Sequence, residues 1–246
     1  MKIIDCSQNT PEWFEARAGI PTASEFSVLV TPKTRKISTG DGVRSYRAKK
    51  LAERWLGRPV DSFVGSFAME QGSILEDEAI PAFELETGLS GKRVGLITSD
   101  DGRYGCSPDL LLDGSGVESK APRPETHVGY LLNGGCPDEY FAQVQGAMLV
   151  TDSPHWWFIS YARGFPMLVV KVPRDDVYLA ALSEALEKFC DDLAADFERL
   201  VSINGAPPKR ASKRRSVVDD YFEDDSDLTP QNHEFFRELA QTGIIQ

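Results

Sequence analysis

Three consecutive stretches decide how this chain is read: Ser107-Pro108-Asp109-Leu110-Leu111-Leu112, then Asp113-Gly114-Ser115-Gly116, then Val117-Glu118-Ser119-Lys120-Ala121-Pro122. The middle stretch has turn chemistry, and the apolar residues on either side read as the two strands of a β-hairpin. Glu118 and Lys120 are two apart, so on a strand they point to the same face. Asp109 comes from the preceding strand. Two carboxylates beside an ammonium form a site for a hard divalent cation and an attacking water.

Upstream of the hairpin the chain reads as helical. Thr10-Pro11-Glu12 predicts an N-cap with proline at the first helical position, in a helix carrying Trp13, Phe14 and Arg17 and stopping near Gly19. Thr22-Ala23-Ser24-Glu25 has the spacing of a capping box opening a second short helix. A helix over residues 43–56 follows, ending at Gly57 and carrying Arg44, Arg47, Lys49, Lys50 and Arg54. A longer acidic helix spans residues 68–87, with Pro81 expected to kink it.

Strands are expected over residues 93–98, 104–112 and 117–120. After them come a helix from Pro137 to about Val150, strands over 155–162 and 167–172, and a long amphipathic helix over 175–203. This order of elements predicts an α/β fold with a central mixed β-sheet flanked by helices. Past residue 204 the composition changes. A basic run, residues 209–215, precedes an acidic one, residues 219–227, and Thr229-Pro230 opens a short terminal helix with Phe235, Phe236 and Leu239 on its apolar face. The expected division is a domain over residues 1–204 and a charged tail over 205–246.

The bulk composition sets bounds. With 246 residues, 41% hydrophobic and 26% charged, the chain can bury a sizeable core. No apolar run reaches membrane-spanning length, and the first residues lack the apolar stretch of a signal peptide, so a cytoplasmic protein with no membrane contact is expected. The four cysteines, Cys6, Cys106, Cys136 and Cys190, match neither zinc nor iron–sulfur spacing and read as reduced thiols. The net charge of −11 argues against nonspecific coating of DNA. It leaves room for an enzyme that encloses DNA within an acidic exterior, because metal-binding carboxylates are themselves part of that charge.

The hairpin chemistry suits phosphodiester hydrolysis. That reaction needs an in-line water, neutralisation of the phosphate charge and help for the leaving oxygen, and one or two Mg²⁺ ions held by carboxylates supply much of this. Asp109 and Glu118 are the expected ligands, with the backbone carbonyl of Ser119 as a third. Lys120 would orient the water or stabilise developing charge. A Glu-x-Lys by itself is far more often a surface ion pair than a site, so the wider pattern has to decide.

That pattern resembles a known family. Ser107-Pro108-Asp109 followed by Glu118-Ser119-Lys120 is similar to the PD-(D/E)xK nuclease signature. The likeness extends to the phage lambda exonuclease and YqaJ-type viral recombinase family. Trp13 to Arg17 with Gly19-Ile20-Pro21-Thr22-Ala23-Ser24-Glu25 resembles its N-terminal motif, Gln71-Gly72 through Glu76 its acidic helix, and Tyr140-Phe141-Ala142-Gln143-Val144-Gln145 its following helix. Four motifs occur in the family's order over roughly residues 10–175.

The resemblance implies a restriction-endonuclease-like core and specific roles. Glu76 would join Asp109 and Glu118 at the metal site, Lys120 would be the catalytic lysine, and Gln143 would stand beside them. Mg²⁺ would be the cofactor, with Mn²⁺ as a substitute. Arg17, Ser24 and Ser107 match positions that hold a 5′ phosphate; a guanidinium and two hydroxyls can give a dianion several charge-assisted hydrogen bonds. The family also carries an arginine a few residues past the lysine. Here Thr126 falls at that count, and Arg123 or His127 would compensate.

The implied activity is a 5′→3′ exonuclease that digests one strand of linear double-stranded DNA from phosphorylated ends and leaves 3′ single-stranded overhangs. The implied assembly is a homotrimeric ring working with a single-strand annealing protein, in a phage or prophage setting within a bacterial host. The basic helix over 43–56 is a candidate lining for the ring's channel. The alternatives are another PD-(D/E)xK DNA endonuclease, which the Arg17/Ser24 motif disfavours, a Cas4-like iron–sulfur nuclease, which the cysteine spacing disfavours, and a catalytically silent DNA-binding scaffold, which the joint presence of Asp109, Glu118 and Lys120 disfavours.

Overall fold

The structure is a computed structural model that describes residues 1–60 and 67–208, without the side chains of residues 67–74 and 77. The Gln71-Gly72 side chains, the charged runs at 209–227 and the terminal helix expected at Thr229-Pro230 lie outside the described residues. Met1–Pro208 forms one compact unit.

In chain order the elements begin with β1 (Lys2–Ile4), α1 (Pro11–Arg17), a 3₁₀ helix (Ala23–Val28), β2 (Val30–Thr31), β3 (Lys36–Ile37), α2 (Asp41–Leu56) and α3 (Phe67–Thr87). Next come β4 (Leu96–Thr98), β5 (Gly105–Cys106), β6 (Leu110–Leu112), β7 (Ser115–Lys120), α4 (Pro124–Asn133) and α5 (Asp138–Thr151). The described part closes with β8 (His155–Ser160), β9 (Leu168–Pro173) and α6 (Asp176–Asn204).

The main sheet has the order β6-β7-β8-β9 and is mixed: β6 and β7 run antiparallel, β7 and β8 parallel, β8 and β9 antiparallel. Parallel neighbours need a long crossover, which α4 and α5 provide. β7 is buried along its length except at Lys120, as expected of an interior strand with helices over its faces. A second sheet, β1-β4-β5, lies beside the N-terminal helices.

The main core joins the 3₁₀ helix, α5, α6 and β8 through residues such as Phe26, Met148, Trp156, Phe158, Tyr178 and Leu186, all fully buried. A smaller cluster of Ala79, Ile80 and Phe83 from α3 with Leu110, Val117 and Ile159 seats α3 on the other side of β7. Gly146 sets a close helix approach. A Cβ there would stand 2.4 Å from Phe26 Cδ2, so glycine is what lets α5 lie directly on the 3₁₀ helix that carries Ser24.

Several local expectations need correcting. The strand expected over 104–112 is two: β5 pairs with β4, β6 pairs with β7, and Pro108, which has no backbone N–H to donate, lies between them. The turn is shorter than expected, since Leu112 pairs with Ser115 and only Asp113-Gly114 connects the strands. The capping box at Thr22 does not form. Its hydroxyl makes no cap bond and instead accepts from Arg17 Nη2 at 3.2 Å, and the segment is 3₁₀ rather than α. Helix α4 was not anticipated, although Arg123-Pro124 at its start and Gly134, left-handed with φ 68, at its end are ordinary helix boundaries.

The cations of α2, the candidate channel lining, are engaged within the fold. Arg47 meets Asp192 at 2.8 Å and Asp196 at 2.9 Å, both on α6. Lys49 meets Glu25 at 3.4 Å, Lys50 lies between Glu25 at 3.3 Å and Glu53 at 3.0 Å, and Arg44 pairs with Asp41. Arg54 donates to the carbonyl of Gly19 at 2.8 Å. The Arg44–Asp41 and Lys50–Glu53 pairs lie within α2, and the other contacts clamp it to its neighbours.

Candidate active site

A cavity of about 170 Å³ collects most of the residues singled out in the sequence: Arg17, Ser24 and Ser107 at one end, Glu76, Asp109, Glu118, Lys120 and Gln143 at the other. A second cavity of about 270 Å³ shares Gln8, Asn9, Glu76 and Asp109 with the first.

The acidic end is built by β7 and what crosses it. Glu118 and Lys120 do share a face, and Lys120 Nζ stands 2.6 Å from Glu118 Oε1. Gln143, one turn into α5, donates to the same oxygen at 2.5 Å. Asp109 Oδ2 accepts the backbone N–H of Ser119 at 2.7 Å. Successive residues of a strand send their N–H and C=O to opposite edges, and Lys120's carbonyl accepts from Tyr161 toward β8. Ser119's carbonyl therefore lies on the Asp109 edge. Gln8 braces the approach to Asp109 by donating to the carbonyl of Pro108 at 2.8 Å.

The electrostatics follow from burial. Glu118 is 3% exposed. Loss of water and the adjacent Glu118 push the Asp109 carboxyl well above the usual carboxylate range, against the pull of Lys120 and the Ser119 N–H, and Glu76 adds to the rise. Burial pulls Lys120 down, but Glu118 and Asp109 outweigh it and hold the ammonium above the ordinary lysine value. This end carries more negative charge than it compensates.

The donor set fits a hard cation. Among the described residues, each carboxylate has one oxygen held by the protein, Glu118 Oε1 and Asp109 Oδ2, and a second, Oε2 and Oδ1, with no protein hydrogen bond. No group of three or more His, Cys, Asp or Glu side chains forms a ready-made cluster among the described residues. Two carboxylates and a carbonyl, completed by water and phosphate oxygens, is how Mg²⁺ is commonly held.

The other end has the opposite character. Arg17 donates through Nη1 to Ser107 Oγ at 2.9 Å and through Nη2 to Thr22 Oγ1 at 3.2 Å and Ser24 Oγ at 3.4 Å. Its guanidinium lies 4.2 Å from the centre of the Trp13 ring. Burial lowers its pKa, with Glu25 the first of the groups acting against that, yet Glu25 is itself held by Lys49 and Lys50. Arg17 has no ion pair among the described residues. A desolvated cation surrounded by hydroxyls calls for an anion.

Two of the sequence's phosphate candidates stand elsewhere. His127 is fully buried; Nδ1 meets Ser160 Oγ at 2.8 Å and Nε2 meets the Pro166 carbonyl at 3.0 Å, so both ring nitrogens tie α4 to β8 and the loop after it. Arg123 is exposed at the N-cap of α4, and neither residue lines the cavity. Sequence reading missed Trp13 and Thr22 as parts of the Arg17 end. The spacing Trp13–Arg17, one helical turn, was the available signal.

Comparison with known proteins identifies the family and the fold. The model of the YqaJ-like viral recombinase domain matches residues 12–154. Among solved structures, the alkaline exonuclease LHK-Exo from Laribacter hongkongensis is 28% identical with TM-score 0.68, covering 79% of this chain and 97% of that one. The same enzyme in complex with dAMP is 30% identical with TM-score 0.69 over the same shares. A phage-related exonuclease from Haemophilus somnus 129PT shares the fold, with TM-score 0.54 at 14% identity over 72% of this chain and 96% of that chain. No curated protein matches the chain. The fold is of the PD-(D/E)xK exonuclease type, and the chain belongs to the YqaJ-like viral recombinase family.

Proposed function

We propose that this protein is a divalent-metal-dependent exonuclease that digests one strand of linear double-stranded DNA in the 5′→3′ direction from phosphorylated ends, leaving 3′ single-stranded overhangs for recombination by single-strand annealing. The observation that carries this reading is one cavity with an anion-seeking end at Arg17, Ser24 and Ser107 and a cation-seeking end at Asp109, Glu118 and Lys120. An endonuclease needs only the second. An enzyme that starts from a terminal phosphate needs both, at a fixed separation.

Each side chain then has a role. Asp109, Glu118 and the Ser119 carbonyl would hold Mg²⁺, or Mn²⁺ in its place, with Glu76 at the edge of the same space. The bound metal would supply Lewis-acid polarisation of the scissile phosphate and a more acidic water. Gln143 fixes Glu118 through one oxygen and leaves the other for the cation. Lys120, kept as an ammonium by its two carboxylate neighbours, donates to the attacking water or to charge developing on the phosphate. Arg17, Ser24 and Ser107 hold the terminal phosphate and set which bond reaches the acidic end. A homotrimeric ring and an annealing partner complete the proposal, on the family's pattern.

The test uses linear duplex with 5′-phosphate or 5′-hydroxyl ends beside closed circular DNA, in Mg²⁺ and in Mn²⁺. Faster loss of one strand from phosphorylated linear DNA, with the circle intact, is expected. Cutting of the circle would assign an endonuclease instead, and binding without cleavage in either metal would assign a scaffold.

A further inference from the structure

The hydroxyl of Ser107 is more constrained than a cavity serine needs to be. Its oxygen lies 2.9 Å from Arg17 Nη1 and 3.0 Å from the indole Nε1 of Trp13. Neither nitrogen can accept a hydrogen bond. A serine oxygen offers two acceptor positions and one proton, so both acceptor positions are filled and only the proton is left to give. Among the described residues no acceptor for that proton is present, and Ser107 lines the cavity.

Trp13 is itself held. Its N–H is shared with the buried carbonyl of Gly95 at 2.8 Å, the residue is 9% exposed, and its ring face carries the Arg17 guanidinium. The indole therefore cannot turn away from Ser107 without leaving a buried carbonyl unpaired.

We propose that Trp13 is a positioning residue that contributes to end specificity: by filling one acceptor position of Ser107 it makes that hydroxyl an obligate donor, so that Arg17 and Ser107 together favour a ligand that accepts. A terminal phosphate dianion is such a ligand. A 5′-hydroxyl brings a proton of its own, which neither the Arg17 guanidinium nor a donor-only Ser107 hydroxyl can accept. Without the indole N–H the Ser107 hydroxyl, still accepting from Arg17, regains one lone pair and can accept as well as donate, and the discrimination fades. This inference rests on reading the Arg17 end as a terminal-phosphate site.

The experiment compares wild type with Trp13→Phe. A second variant carries β-(3-benzothienyl)alanine at position 13, which keeps the bicyclic volume and removes only the N–H. It carries the test if the phenylalanine variant does not fold. Two readouts are taken on duplexes with 5′-phosphate or 5′-hydroxyl ends: equilibrium binding in chelator and initial cleavage rate in Mg²⁺. The phosphate-to-hydroxyl ratio is expected to fall about ten-fold in both, since one hydrogen-bond mismatch is at stake. Adding Trp13→Phe to Ser107→Ala should lower the ratio no further.

Equal losses on both ends with the ratio unchanged, or losses that add in the double variant, would overturn the role of Trp13. A wild type indifferent to the terminal phosphate removes the parent reading and this one together. A discriminating wild type beside an equally discriminating variant removes only this one.

Discussion

The two ends of the cavity solve opposite electrostatic problems with opposite materials. At the acidic end, Asp109 and Glu118 are crowded until Asp109 is hard to ionise, and Lys120 offsets part of the repulsion. At the Arg17 end a desolvated guanidinium is surrounded by neutral oxygens. One end is short of positive charge and the other of negative charge. Joined in one cavity, they match the two things that the proposed substrate, a phosphorylated strand end, would bring: its terminal phosphate, and a scissile phosphate with its metal. Burial strengthens both demands, because charges removed from water are stabilised only by what the site itself supplies.

The strongest way to break the comparison is to silence one end. Lys120→Ala should reduce cleavage by about a thousand-fold or more on every DNA end, while circular dichroism and the melting temperature show an intact fold. Normal turnover would remove Lys120 from the chemistry. Arg17→Ala acts at the other end and should behave differently. It should cost about ten-fold or more on phosphorylated ends and little on hydroxyl ends, read from paired initial rates. A uniform loss would mean that the two ends are not separable.

The pH response separates them further. Asp109 has a folded-state pKa above its unfolded value, so the folded protein binds more protons than the unfolded chain between those values. Its contribution to stability is favourable at low pH and is lost as pH rises through the folded pKa. In chelator the melting temperature should therefore decline from about pH 4 to about pH 8, and Asp109→Asn should flatten the decline. Metal binding needs the ionised carboxylate, so Mg²⁺ should stabilise most at high pH. A metal effect independent of pH would argue against Asp109 as a ligand.

The smallest expected effect concerns the joint between the ends. α5 brings Gln143 to the acidic end and packs through Gly146 on the segment that carries Ser24. Gly146→Ala improves helix propensity by about 1 kcal/mol. Yet its Cβ would collide with Phe26, and a net loss of about 1–3 kcal/mol is expected from overpacking, measured by urea unfolding. A stabilised variant would show that the contact can relax.

Local sequence carried much of this. Period-two spacing placed Glu118 and Lys120 on one face, Thr10 capped α1 by accepting from Trp13 N, and Gly57 closed α2 with φ 65. These are effects of near neighbours, written in residue order. The errors fall where a distant partner decides. Thr22 looks like a cap from its own neighbours, but its hydroxyl turns to Arg17. Arg47 looks like a free cation until α6 arrives with Asp192 and Asp196. His127 looks available until Ser160 and Pro166 occupy both nitrogens.

What the chain determined by itself is the set of elements and the chemical character of each group, because φ/ψ preferences, side-chain period and ionisation are local properties. What only the tertiary structure decided is which charges are met and which are left wanting. Arg47 on α2 and Arg17 on α1 are the same residue type, yet one is met by two aspartates and the other by hydroxyls and an indole. Coulomb energy and desolvation depend on distance in space, and residue order does not contain it.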